Sequence, residues 1–246
     1  TTNDKSKFIP VAPAGLQNAH YKGGFDVVSL YLANNPKSRI FSGKALILGG
    51  SHAPNYNLPG SLVGDLSAIL IENCSPLVNM VRVPDKKTSL IGDFEEKMDK
   101  IARTTCNKNV TNIAGVPSWM MAVLKHMLDI TGKKGVEELW PNLEVFFHGG
   151  VAFTPYREQY KQIIRKDDMK YMETYNASEG FFGIQNDSTE ISLYGALDPH
   201  RVSVSSSPNL SDPRGMSTMP KGAGSLNAAE REPVSSPPTD IAALLV

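Results

Sequence analysis

Hydrophobic and polar positions follow two periods along this chain, and the places where the period switches mark its elements. Residues 14–32 read as a helix loosened by Gly23-Gly24, with an apolar end at Val27, Val28, Leu30 and Tyr31. Residues 45–48 form a short apolar run, a buried strand stopped by Gly49-Gly50. Residues 62–71 carry an apolar helical face, and Pro76 is expected to interrupt whatever follows, because proline removes a helix hydrogen bond. An amphipathic helix with a charged outer side is predicted over 90–105, and a strand over 110–114. Pro117 then opens a helix in which Val116, Trp119, Met120, Val123, Leu124, Met127 and Leu128 recur at helical spacing. Residues 143–147 predict a strand closed by Gly149-Gly150, residues 156–164 a helix, and residues 170–174 a last short strand. Alternating strands and helices predict an α/β layered domain.

Composition changes that picture only at the end. The 246 residues are 41% hydrophobic and 20% charged, ordinary values for a globular chain with a sizeable core. Twenty-five basic residues balance 25 acidic ones. That balance argues against a nucleic-acid or membrane-surface protein held by net charge. No apolar run approaches the roughly 18 residues of a membrane span, and no signal peptide opens the sequence, so the cytoplasm is the expected compartment. Cys74 and Cys106 lack metal or redox spacing and read as buried free thiols. Past Asp187 the chain turns rich in Ser, Pro and Gly, and residues 195–246 contain no aromatic residue. Such a stretch buries too little apolar surface to offset its ordering entropy. The expectation is therefore an α/β unit over 1–187 and a disordered, low-complexity tail over 188–246, with a short apolar helix at 241–246. Limited proteolysis is expected to cut first within about 200–240; a protease-resistant tail would contradict this division. So abrupt a change of character is expected of a truncated or frame-shifted gene product. The other reading frames beyond the codon for Asp187 should then restore an apolar strand.

Two segments suggest chemistry. Tyr175-Asn176-Ala177-Ser178-Glu179-Gly180 puts a hydroxyl, a carboxylate and a glycine just past the last predicted strand. In open α/β sheets, ligands sit outside the carboxyl ends of strands. At the other end, Thr1-Thr2-Asn3-Asp4-Lys5-Ser6-Lys7 offers hydroxyls and lysines of the kind that hold polyphosphates. Taken singly, each feature has a plainer reading: Lys7 as solvated surface, Glu179 as a turn brace, Gly149-Gly150 as a strand end, Trp119 as core. His20, His52 and His126 read as structural histidines. His148, beside the glycines, is the one most open to another role.

Taken in order, the segments resemble the adenylate-forming acyl-acid amido synthetases, the auxin-responsive family of plants that also has bacterial members. That family's phosphate motif, Ser-Ser-Gly-Thr-Thr/Ser with a lysine five positions on, is matched in its last two residues by Thr1 and Thr2 and by Lys7. Its Tyr-x-x-Ser-Glu motif is matched by Tyr175, Ser178 and Glu179. His20-Tyr21-Lys22-Gly23-Gly24, Leu48-Gly49-Gly50-Ser51-His52, Ala114-Gly115-Val116-Pro117-Ser118-Trp119 and His148-Gly149-Gly150 continue the resemblance over about residues 1–187. The chain is similar to a bacterial member truncated at both ends, covering part of the large amino-terminal domain.

The resemblance implies that a small carboxylic acid and ATP form an acyl-adenylate, which an amino acid's amine then attacks. It implies catalytic roles for Lys7 and Glu179, with Glu179 holding Mg²⁺. ATP would meet Thr1, Thr2, Lys7, Gly149, Gly150, Tyr175 and Ser178, and the acyl group would meet Tyr21, Val116, Pro117 and Trp119. Neither nucleic acid nor membrane is an expected partner. Two other readings stay open: an adenylate-forming ligase with a thiol acceptor, and a non-catalytic product acting only in binding.

Overall fold

A computed structural model describes residues 8–186 and the backbone of 193–194. The proposed phosphate segment, with Thr1, Thr2 and Lys7, and all but two residues of the tail lie outside the described residues.

The fold is a seven-stranded sheet in the order β4-β1-β5-β6-β7-β8-β9, flanked by helices on both faces. A one-turn helix, α1 (Pro13–Gly15), runs into a π-helical turn over Leu16–Tyr21 and then α2 (Lys22–Asn34). The chain crosses the sheet as β1 (Lys44–Ile47) and forms a small hairpin from β2 (His52–Pro54) and β3 (Leu62–Gly64). Then come α3 (Leu66–Asn73), α4 (Pro76–Val81), the edge strand β4 (Arg82–Val83), α5 (Lys86–Ser89) and α6 (Phe94–Thr105). The second half holds β5 (Val110–Gly115), α7 (Pro117–Thr131), β6 (Val145–Gly149), α8 (Arg157–Ile163), β7 (Lys170–Ala177), β8 (Gly180–Gln185) and β9 (Leu193–Tyr194). Strands β4 to β7 run parallel, while β8 and β9 add antiparallel.

Strand alternation explains the layers, since successive side chains point to opposite faces. Leu46, Leu48, Ile113 and Phe146 join α6, α7 and α8 in one core that includes Ile101, Leu124 and the fully buried Trp140. Ala45, Ile47, Ala114, Val145 and Phe147 face the other way, onto Val27, Val28 and Tyr31 of α2 and Ile71 of α3. Parallel strands covered on both faces read as continuous apolar runs, which is how 45–48 and 110–114 appear in the sequence. The helix α2 packs so close to β8 that a Cβ on Gly23 would stand 2.2 Å from the Phe181 ring. The glycine that loosens the helix is what admits this contact.

Several expected boundaries move, each for a local reason. Residues 62–71 are not one helix: Leu62–Gly64 pair with β2, and the helix begins only after Asp65, an N-cap residue by type. Pro76 starts a helix rather than breaking one, sitting in the first turn of α4 behind Ser75, whose hydroxyl accepts from Leu77 N. The helix expected from residue 90 starts at Phe94, where Asp93 accepts from Glu96 N at 2.8 Å. The last strand is longer than 170–174. It runs to Ala177 and turns back through a two-residue loop, Ser178-Glu179, into β8.

Candidate functional site

Above the carboxyl ends of β1, β5, β6 and β7 lies a cavity of about 280 Å³, the position where open α/β sheets take their ligands. Its floor is Ile47, Leu48, Ala114, Gly115, Phe147, His148 and Gly149, and α3 closes one side with Leu66, Leu70 and Ile71. Tyr21, Val116 and Trp119 complete the walls. The lining is largely apolar with a few polar groups at its ends, which suits a molecule with a hydrocarbon body.

Each wall is fixed by identifiable bonds. Tyr21, in the π-helical turn, is buried and donates to Leu70 O at 2.9 Å, joining the chain's first helical segment to α3. One residue back, His20 Nδ1 lies 2.8 Å from Asn176 Oδ1, tying the same turn to the end of β7. The loop after β1 is held from three sides. Gly50 N donates to Ser67 Oγ at 2.9 Å, Ser51 N to Asp65 Oδ2 at 3.0 Å, and the buried Lys97 donates to the carbonyls of Gly49 and Gly50 at 3.1 and 2.7 Å. Burial lowers the pKa of Lys97, and nearby Asp65 opposes that shift.

The two glycines at the end of β6 behave differently. A Cβ on Gly149 would lie 2.4 Å from the backbone oxygen of Thr174, its partner on β7, so no side chain fits there. Gly150 has φ +82°, a left-handed conformation that glycine adopts readily. Together they leave a bare strip of backbone at the cavity mouth.

His148 is the least ordinary polar group on the floor. It is 2% exposed, stacks on Phe153 at 4.1 Å, and its Nδ1 has no hydrogen-bond partner. Burial first, and Arg157 second, depress its pKa from 6.5 to about 3. The folded protein therefore keeps a neutral imidazole where the unfolded chain would be protonated. Its contribution to stability is complete above pH ~6.5 and is lost as pH falls toward ~3, at up to ~1.4 kcal/mol per pH unit. Urea unfolding at pH 7.5 and 5.0 checks this. The pH dependence should flatten in His148→Phe, and an unchanged slope would assign it to other groups.

The cavity brings together five of the residues singled out in the sequence: Tyr21, Val116, Trp119, Gly149 and Gly150. Pro117 does not line it. Pro117 is buried at the first turn of α7, where its carbonyl accepts from Tyr160 at 2.7 Å. Tyr175, Ser178 and Glu179 also stand outside the lining, at the end of the β7–β8 hairpin. Thr174 and Asn176 face the cavity, so Tyr175 between them projects from the opposite face. Its ring is half-exposed and lies 5.3 Å from Phe182, the extra residue that β8 carries at its register shift. Glu179 is exposed in the turn itself.

The sequence reading missed Asp65, Ser67, Arg82, Lys97, Thr174 and Asn176. Asp65 had a signal, a helix-capping residue type just before an apolar run, but it was absorbed into one predicted helix. The others depend on which strands become neighbours, which no local pattern carries.

Against known protein families, residues 1–169 match the model described as the GH3 family N-terminal domain. The chain belongs to the GH3 family. Among solved structures, the GH3 fold here is similar to that of a protein titled GH3.15 acyl acid amido synthetase, with a TM-score of 0.58 at 15% identity. The match covers 77% of this chain and 43% of that one, so the chain spans less than half the length of that synthetase. No curated protein matches the sequence. Among the described residues, no helix is long and apolar enough to cross a membrane.

Proposed function

We propose that this chain is the acid- and nucleotide-binding part of an ATP-dependent acyl-acid amido synthetase. The observation that carries the reading is a largely apolar cavity that opens, at the carboxyl end of the sheet, onto the side-chain-free strip Gly149-Gly150. The acid's hydrocarbon body lies against Tyr21, Val116 and Trp119, at the start of the helix that Pro117 opens. Its carboxylate reaches the cavity mouth, where its oxygen attacks the α-phosphorus of ATP, and the bond to pyrophosphate breaks. The acyl-adenylate formed is then attacked at its acyl carbon by an amino acid's amine, giving the amide and AMP.

Within this reading Gly149 and Gly150 let the adenine lie against bare backbone, and Tyr175 offers it a ring face. Ser178, Thr1, Thr2 and Lys7 donate to the phosphates, which carry several negative charges and need hydroxyl, backbone and ammonium donors. Glu179 fits the hold on Mg²⁺. The described residues contain no cluster of three or more metal-ligating side chains, and magnesium typically takes one or two carboxylates plus substrate phosphates. When bound, the ion would neutralise charge on the phosphates. No enzyme nucleophile enters, and His148, held neutral and stacked, gives the floor its shape. We place the activity in the cytoplasm and assign residues 1–187 to this unit and 188–246 to a low-complexity tail, of which Leu193–Tyr194 add the edge strand β9 to the sheet; the two free cysteines, Cys74 and Cys106, accord with a reducing compartment.

The test is ATP–pyrophosphate exchange by the full-length protein with a panel of carboxylic acids, followed by acceptor trials with amino acids and with coenzyme A. Acid-dependent exchange and amide formation are expected. Thioester formation would make the acceptor a thiol, and no exchange with any acid would leave only a binding role.

A further inference from the structure

The cavity has a second polar end, away from the glycines, at Arg82 on the edge strand β4. Arg82 is 3% exposed. Its Nε donates to Asn79 Oδ1 at 2.9 Å, and its Nη1 donates to Pro84 O at 3.2 Å and Ser89 Oγ at 2.8 Å. These bonds engage three of the five guanidinium N–H groups and fix the plane of the group. Nη2, with the remaining two donors, is buried and has no partner. Among the described residues Arg82 forms no ion pair. Its ionisable neighbours are Cys74, whose side chain makes a polar contact with the guanidinium, and Asp85, whose carboxylate is occupied at the start of α5, accepting from Thr88 N and Oγ1.

A buried guanidinium stays protonated, so it cannot escape its desolvation cost by losing the charge. Buried charges are as a rule paired. Here Arg82 lines a ligand cavity, its guanidinium is clamped through Nε and Nη1, and its buried Nη2 lacks a hydrogen-bond partner. Between it and the glycine strip the lining is hydrocarbon: Val78, Ile71, Ile47, Ala114 and Phe147. In the sheet order, β4 and β6 are three strand spacings apart, so their axes stand ~14 Å from one another. The arginine side chain shortens the span left for a ligand.

We propose that the acid bound in this cavity is a dicarboxylate, with one carboxyl at the glycine strip and the other received by the free Nη2 of Arg82. The assignment of the first carboxyl rests on the adenylation reading; the pairing with Arg82 does not. An apolar spacer crosses the hydrocarbon floor between the two. Arg82 thereby sets specificity, favouring acids with a distal carboxylate over fatty or aromatic monoacids, which would leave its charge unpaired.

The experiment is equilibrium binding to the full-length protein, without ATP. A graded series of saturated α,ω-dicarboxylates is compared with straight-chain monocarboxylates of matched length. The wild-type protein should prefer the best diacid over its matched monoacid by at least about tenfold, the range of hydrogen bonds to charged groups. Arg82→Met should lose that preference while still binding monoacids, and Arg82→Lys, which keeps the charge, should retain part of it. The readout is a ratio within each variant, so it is insensitive to a reduced folded fraction. If Arg82→Met does not fold, the wild-type ratio and that of Arg82→Lys decide. Equal binding of diacid and monoacid by the wild type overturns the proposal, as does an unchanged ratio in Arg82→Met. Pyrophosphate exchange is measured separately: its failure beside an intact diacid preference would sink adenylation and leave the Arg82 site standing.

Discussion

Under the adenylation reading, Glu179→Ala is expected to cut acid-dependent pyrophosphate release by at least ~10²-fold, the loss typical of one preorganised electrostatic group. Stability should barely move. Glu179 is exposed in the two-residue turn between β7 and β8 and lies on no apolar face, so truncating it opens no cavity. Exposed substitutions of this kind stay within ~0.5 kcal/mol. The contrasting change is Leu124→Ala in the middle of α7. Leu124 is fully buried in the core shared with α6 and α8, and its truncation should cost ~2–5 kcal/mol. Activity in that variant should fall only with the folded fraction. Lys7→Ala should resemble Glu179→Ala but act mainly on ATP affinity, because an ammonium is a mobile point charge. Thermal melts run beside pyrophosphate-release assays separate the patterns. If Glu179→Ala melts as early as Leu124→Ala, or turns over at the wild-type rate, its role at the phosphates is wrong.

Gly149→Ala should injure both stability and function. The new Cβ would stand 2.4 Å from Thr174 O, a backbone atom in the paired strand, so β6 and β7 must move apart. Overpacking of this order costs ~1–3 kcal/mol. The displaced segment carries Thr174 and Asn176 at the cavity and leads to Tyr175 and Glu179, and a misplacement of about 1 Å can cost ~10²-fold in rate. Gly15→Ala is the matched control. Nothing lies within 4 Å of a Cβ at Gly15, so it should keep wild-type stability and activity. Urea midpoints and exchange rates for both variants check the contrast. A Gly149→Ala protein as stable and active as Gly15→Ala would show that the β6–β7 edge tolerates a side chain and that the bare strip is not required.

What was legible in the sequence was what local pattern encodes. The helix at Pro117 was plain because proline fixes its first turn and seven apolar residues repeat at helical spacing. The strands at 45–48 and 110–114 stood out because both their faces are covered. Glycine pairs marked the strand ends that border the cavity. Errors arose where a competing local rule won. An apolar run at 62–71 hides the end of a hairpin and Asp65, the residue that precedes α3, and Pro76, a helix breaker by type, becomes a starter because Ser75 caps it. The hairpin at 178–179 leaves no strand signal beyond it because β8 is built from residues, Gly180-Phe181-Phe182-Gly183, that break strict alternation at the Phe182 bulge. Arg82, Lys97 and Asn176 were invisible for another reason. The meaning of Arg82 and Asn176 depends on the order β4-β1-β5-β6-β7, which brings positions about a hundred residues apart to one cavity, and that of Lys97 on the packing of α6 beneath the loop after β1.

The central claim, that a carboxylate in this cavity attacks the α-phosphorus of ATP, is tested most directly by isotope transfer. The full-length protein is incubated with ATP, an amino acid and an acid substrate labelled with ¹⁸O in its carboxyl group, and the AMP and pyrophosphate are examined by mass spectrometry. Adenylation predicts that one labelled oxygen leaves the acid and appears in the phosphate of AMP. Label in inorganic phosphate with ADP as the nucleotide product, or unlabelled AMP accompanying amide formation, would contradict it.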